Sequence, residues 1–182
     1  MILLIGKTSS GKSVIQKELI KLGYNAGVTF TTRPPRPGEV DGVDYNFITK
    51  EEFLAKESDG FFAEYTSYNV ASGETWYYGS AIKDLTDDKV MIVNPEGLKK
   101  IKKIASLNPV AFYLMAEEET IWNRLRQRGD DAAEARRRLN ADDMDFAGIV
   151  NDVEFCLRND LGIKPEAMAK FIHELYTTVK GE

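Results

Sequence analysis

Eight residues near the start of the chain, Gly6-Lys7-Thr8-Ser9-Ser10-Gly11-Lys12-Ser13, match the spacing G-x-x-x-x-G-K-[ST] at every fixed position. They follow Met1-Ile2-Leu3-Leu4-Ile5, a continuously apolar run that is short and unbroken, as a buried parallel strand should be. Residues 14–22 then read as a helix that stops at Gly23. A strand, a glycine-bearing turn and a helix in that order aim backbone N–H groups at one place, where the helix dipole adds partial positive charge. Such a turn cradles phosphate. Gly6 to Val14 is the expected segment, with Lys12 reaching the β- and γ-phosphates of a nucleoside triphosphate and the Ser13 hydroxyl ligating Mg²⁺. The alternative, a glycine-rich turn with a surface lysine, does not explain the flanking strand and helix.

Beyond this segment, strand-like runs at 26–30, 90–93 and 110–114 alternate with helical stretches at about 96–107, 118–128, 132–144 and 164–179. That rhythm predicts an α/β fold, a parallel sheet with helices on both faces. Residues 31–82 break it. They hold three of the six prolines within four positions and are dense in Tyr and Phe. Short alternating pieces at 45–48 and 61–65, with a capping box at Thr49-Lys50-Glu51-Glu52, predict a small mixed α+β insertion. The expected organisation is a core of residues 1–30 and 83–182 carrying an insertion of 31–82.

The chain has 182 residues, enough for one well-packed domain. A formal net charge of -5 argues against a general nucleic-acid binder, though clustered arginines can still hold a small anion. No run approaches the ~20 apolar residues that span a bilayer, so no membrane partner is expected. One cysteine, Cys156, excludes an intramolecular disulfide and suits a reducing compartment. No charged leader precedes the first strand. Cytosol is the expected location.

The segment Thr31-Thr32-Arg33-Pro34-Pro35-Arg36-Pro37-Gly38-Glu39 favours polyproline II, with three residues per turn. Arg33 and Arg36 would then share a face, roughly 9 Å apart at the backbone. Two guanidinium forks could converge on one phosphate from there. A stiff loop with solvated arginines, or a protein-docking motif, explains the same residues. Further on, Arg124 and Arg128 lie four apart on one helix face, a like-charge spacing that an anion would relieve. Gly129 reads as that helix's stop, before Arg136-Arg137-Arg138.

Residues 31–47, through Val40-Asp41-Gly42-Val43-Asp44-Tyr45-Asn46-Phe47, closely resemble the acceptor-binding signature of the guanylate kinase family. Tyr77-Tyr78-Gly79-Ser80 and Arg124-Leu125-Arg126-Gln127-Arg128-Gly129 extend the resemblance, which covers nearly the whole chain in the expected order. It implies transfer of the γ-phosphoryl group of ATP to GMP or dGMP, with Mg²⁺. Arg33, Arg36, Tyr45 and Tyr78 match residues that hold the GMP phosphate, and Thr29 stands where serine is usual. Glu64 and Ser80, after Gly79, match residues that read guanine. A carboxylate at 64 accepts from both the ring N1–H and the exocyclic amine, whereas adenine presents a lone pair there. The 31–82 insertion becomes the acceptor domain, and about 129–144 a helical lid bringing Arg124, Arg128 and Arg138 to the transferring group. Arg137 competes with Arg138, and Asn159 and Asp160 match an edge of the adenine site loosely. The GMP phosphate is already an anionic nucleophile, so positioning and cations suffice, and no base is required. His173, the only histidine, is expected to be structural.

Two departures stand out. Ile92 and Asn94 occupy positions that are usually acidic in the family, where one residue helps read guanine and both add charge near the metal's water shell. Asn94 retains a hydrogen-bonding oxygen. The stretch 66–76 is also longer than the pattern, which leaves Glu74 as a second candidate for the base-reading carboxylate. Competing functions are a guanylate-kinase-like binding module, a kinase of another nucleoside monophosphate and, less well supported without an N-K-x-D motif, a regulatory GTPase.

Overall fold

The computed structural model describes residues 1–70, 73–104 and 108–181. Five strands form a parallel sheet in the order β2 (Asn25–Gly27), β7 (Lys89–Ile92), β1 (Ile2–Ile5), β8 (Val110–Met115) and β9 (Phe155–Arg158). The opening apolar run is its central strand, and Met1 to Ile5 are all fully buried. Strand alternation divides that run between two cores. Ile2 and Leu4 pack with Ile15 and Leu19 of α1 (Lys12–Lys21) and with Met168 and Ile172 of α6 (Pro165–Lys180). Met1, Leu3 and Ile5 face the other way, onto Leu98 and Ile101 of α3 (Pro95–Lys102) and onto Ile149. Each such side chain contributes about 1.5–3 kcal/mol, which fixes the sheet in a two-sided sandwich of helices.

A second sheet has the order β4 (Asn46–Phe47), β3 (Phe30–Thr31), β6 (Thr75–Ala81) and β5 (Phe62–Asn69). β3 runs parallel to β4 and antiparallel to β6, so the sheet is mixed. The capping box forms at α2 (Lys50–Ser58): Thr49 Oγ accepts the Glu52 N–H and the Glu52 carboxylate accepts the Thr49 N–H. α2 inserts fully buried Phe53 under the sheet, stacked on Phe62 at 4.4 Å between ring centroids. Phe53→Ala should lower the unfolding free energy in a urea titration by about 3–5 kcal/mol, the cost of a large vacated core site. An unchanged midpoint would mean that the second sheet melts apart from the rest.

Three expectations shift. The run at 26–30 is two strands, not one: β2 ends at Gly27, and Phe30 already pairs with Gly79 in the second sheet. The helix expected over 96–107 is α3, capped by Asn94 and ending at Lys102. Residues 105–107 of that expectation lie outside the described residues. β9 has no counterpart among the expected elements, because only Leu157 of its four residues is buried. Among the described residues, no helix is long and apolar enough to cross a membrane.

Candidate active site

The turn after β1 is built by two left-handed residues, Ser9 at φ 58° and Gly11 at φ 99°. Gly11 is required there twice over, since a Cβ would also run into the Asn159 carboxamide. Asn159 is itself buried and donates from Nδ2 to Ser10 O at 2.8 Å. Arg124, on α4 (Glu118–Arg128), donates to Ser9 O at 3.1 Å and to Asn159 O at 2.8 Å. These two side chains clamp the turn from its carbonyl side, while of its N–H groups that of Ser10 bonds to Lys7 O and that of Thr8 to the Asp142 carboxylate. Lys12 Nζ folds over the turn, donating to Gly6 O at 2.6 Å and Lys7 O at 2.8 Å. Loss of water around it pulls its ammonium pKa down to about 8.

A cleft of about 1130 Å³ opens from this turn, and Gly6, Thr8, Ser9, Gly11, Lys12, Ser13 and Val14 all line it. Ser10 is buried beneath. Lys7 turns outward to pair with Asp143 of α5 (Ala132–Asp145), which raises the Lys7 pKa. Thr29, Arg33, Arg36, Tyr45 and Tyr78 line the same cleft from the second sheet and its proline-rich loop. Two anion-binding regions therefore share one cavity.

Arg33 is buried and held by Glu39 through two bonds of 2.9 and 3.0 Å, with its guanidinium 5.2 Å from the Tyr45 ring centroid. Glu39 also accepts the Arg36 backbone N–H at 2.7 Å, so one carboxylate sets both arginines. The Arg36 guanidinium is pulled below its usual pKa by desolvation and by Arg33, Arg138 and Arg128 nearby. Burial raises the Tyr45 phenol. This converging positive charge is what a phosphate dianion relieves. From the other side, Arg128 pairs with Asp130, and Arg138 with Glu134 at 2.9 Å and with Asp130 at 3.7 Å. Arg128 is the first cause of the lowered Asp130 pKa, with Arg36 and Arg138 adding to it. Arg137 also lines the cleft but pairs with Glu134 and is more exposed than Arg138.

Glu64 lies deeper in the cleft, 7% exposed, directly opposite Ser80 in the β5–β6 ladder. Ser80 Oγ donates to its Oε1 at 2.5 Å. Its other oxygen lies beside Gly97, where a Cβ would approach it within 3.0 Å. Burial raises the Glu64 pKa, and the Ser80 hydrogen bond partly offsets it. Glu74 is exposed near the far end of the hairpin and does not line the cleft. The longer stretch at 66–76 is taken up by the extended β5 and β6, and its residues 71 and 72 lie outside the described residues. Gly79 is buried and faces the Phe53 and Phe62 rings rather than the cleft.

Asn94 lines the cleft while capping α3: its Oδ1 accepts the Gly97 N–H at 2.7 Å and its Nδ2 donates to Tyr68 Oη at 2.6 Å. Ile92 adds an apolar wall. Burial pushes the Tyr68 phenol up to about 12. Asp160 accepts the Glu117 N–H away from the cleft lining, and the His173 ring is bonded to Tyr24 Oη at 2.8 Å within the α1–α6 side. No motif points to Tyr68, or to Asn159 as a clamp of the turn. For Asp142 and Asp145, which also line the cleft, the only sequence signal is spacing: four and seven residues after Arg138 on one helix face.

Comparison with known proteins gives these positions a context. A family model described as guanylate kinase matches residues 1–173. The guanylate kinase of Nitratidesulfovibrio vulgaris is 32% identical over 151 residues, covering 78% of this chain and 70% of that protein. That of Rickettsia felis is 30% identical over 178 residues, covering 96% and 91%. In three dimensions, the crystal structure of guanylate kinase from Anaplasma phagocytophilum superposes with a TM-score of 0.72 at 21% identity. It covers all of this chain and 86% of its own, which establishes a shared fold. With a match that runs from the first strand into the last helix, the chain belongs to the guanylate kinase family.

Proposed function

We propose that this protein moves the γ-phosphoryl group of ATP to GMP or dGMP, giving ADP and the corresponding diphosphate. The observation that carries this reading is the shared cleft, with a phosphate-binding turn at one end and the Arg33–Arg36 loop with buried Glu64 at the other. Residues 31–82 act as the acceptor domain on a core of 1–30 and 83–182, and about 129–144 act as the lid.

The chemistry this arrangement performs is electrostatic. Lys12 exchanges its two carbonyl partners for phosphate oxygens as the triphosphate enters. Arg33, Arg36, Tyr45, Tyr78 and Thr29 orient the acceptor phosphate, whose oxygen attacks in line without loss of a proton. Arg124, Arg128 and Arg138 offset charge on the equatorial oxygens, and the lid that carries Arg138 excludes water. Glu64 and Ser80 read the base, and Asn94 borders it. Among the described residues, no cluster of three or more His, Cys, Asp or Glu is placed to hold a metal ion. Mg²⁺ would be held by the hydroxyl of Ser13, an exposed residue in the first turn of α1, and would supply positive charge against the transferring phosphoryl group. The exposed, lone Cys156 suits a reducing cytosol.

A coupled assay with ATP and GMP, dGMP, AMP, CMP or UMP tests the reading. GMP and dGMP should exceed the other acceptors by at least about 100-fold in kcat/KM, the margin that unpaired buried polar groups impose. Equal turnover of AMP would overturn the acceptor assignment. Calorimetric GMP binding with no ATP consumption would instead identify a non-catalytic binding module.

A further inference from the structure

The carboxylate of Asp142, on the cleft side of α5, accepts the backbone N–H of Thr8 at 2.6 Å. Thr8 lies inside the phosphate-binding turn, and its N–H is one of the donors that such a turn offers to an anion. Asp142 also favours the Lys12 ammonium, against the desolvation that lowers its pKa. Next to it, Asp143 holds the Lys7 ammonium on the outer side of the same turn. Two consecutive acids of the lid helix thus grip the loop that phosphate requires. Neither takes part in the phosphoryl transfer set out above.

We infer that Asp142 is an internal occupant of the triphosphate site, a carboxylate that a phosphate oxygen must displace from the Thr8 N–H. The inference rests on the phosphate-binding role of the turn given under the proposed function. The Thr8 N–H makes one strong bond, and a short bond to an ionised acceptor is about twice as strong as a neutral one. A phosphate brought to the same donor would meet a second anion at contact distance, in a cleft where water screens poorly. Both cannot stay. Asp142 lies four residues after Arg138 on one helix face, so expelling the first shifts the rigid element that carries the second. Nucleotide entry and repositioning of the lid arginine are then one event. Asp142 holds the lid against the turn and lowers the affinity for nucleotide by the strength of its own bond.

Calorimetric titration of the full-length protein with ADP and Mg²⁺ tests this. Asp142→Asn and Asp142→Ala should each lower the ADP Kd by about tenfold, the loss of one charge-assisted competitor. Asp143→Asn, which breaks only an exposed ion pair, should change it by less than about threefold. GMP binding, at the far end of the cleft, should stay within about twofold of wild type in all three, and its loss would expose misfolding in place of competition. An unchanged or raised ADP Kd in both folded Asp142 variants overturns the inference, because the carboxylate would then be neutral toward the nucleotide or would assist it. Absence of ADP binding in every protein, wild type included, would overturn the phosphate-turn reading itself.

Discussion

Lys12→Ala should reduce kcat by about 10³-fold or more while leaving the fold intact, since the hydrogen bonds of its ammonium run to its own loop, to Gly6 O, Lys7 O and Ser10 Oγ. Its ammonium donates to the carbonyls of Gly6 and Lys7, both within 2.8 Å, at the lining of the cavity that phosphates would fill. Alanine leaves the turn's backbone donors in place but removes the one mobile cation that can follow charge from the β-phosphate onto the transferring group. The pH dependence adds a second reading. With a pKa of about 8, the ammonium is increasingly neutral as pH rises above 8 in the free protein, and nucleotide binding must then recover the proton. ADP affinity should weaken by up to about tenfold per pH unit there, and Lys12→Ala should abolish that slope. Stopped-flow or coupled turnover for kcat, with calorimetry between pH 7 and about 9.5, measures both. Residual turnover within about tenfold of wild type would mean that the turn binds nucleotide without stabilising the reacting phosphates.

How far the sequence discloses this molecule depends on the range of the forces involved. β1, β8 and the Val90–Ile92 part of β7 are legible because strands buried on both faces read as continuous apolar runs, and the α2 cap because its signal spans four residues. β9 is not, since an edge strand with one buried residue carries no periodic pattern. The division of 26–30 escapes for another reason. Local propensity is the same across Val28 and Thr29, and only pairing of Phe30 with Gly79 and Asn46 moves the chain to a different sheet. Within the cleft, the phosphate turn is visible because its chemistry fixes a spacing. Three contacts made by α3 and α5 are invisible: Gly97 beside Glu64, the Asn94–Tyr68 bond and the Asp142–Thr8 bond all join residues distant in sequence. Asn94 shows the same effect. Its carboxamide is spent on the first turn of α3 and on Tyr68, uses that no residue count reveals.

Glu64→Ala should lower kcat/KM for GMP by about 10²–10³-fold and leave the KM for ATP within about twofold. The asymmetry follows from position. Glu64 sits in the second sheet, bonded to Ser80 and walled by Gly97, and touches no part of the phosphate turn. At 7% exposure it has almost no water to fall back on, so its ionised oxygens are costly to bury and strongly directed toward whatever donors the acceptor base supplies. Guanine offers two, and alanine would strand both. AMP, which offers a lone pair where guanine has N1–H, should lose little, so the GMP-to-AMP ratio collapses by nearly the whole factor. Glu64→Gln separates charge from shape: its amide keeps one acceptor but turns an NH₂ toward a guanine donor, so GMP should suffer while AMP gains a partner for its ring nitrogen. The raised pKa of Glu64 gives an independent sign. On acidification the carboxyl protonates earlier than an exposed one, and GMP affinity should fall at a higher pH than ATP affinity does, a difference that Glu64→Gln should erase. Parallel titrations of GMP and ATP from pH 7 downward measure this. Full retention of GMP preference in Glu64→Ala would remove the base-reading role from this side chain.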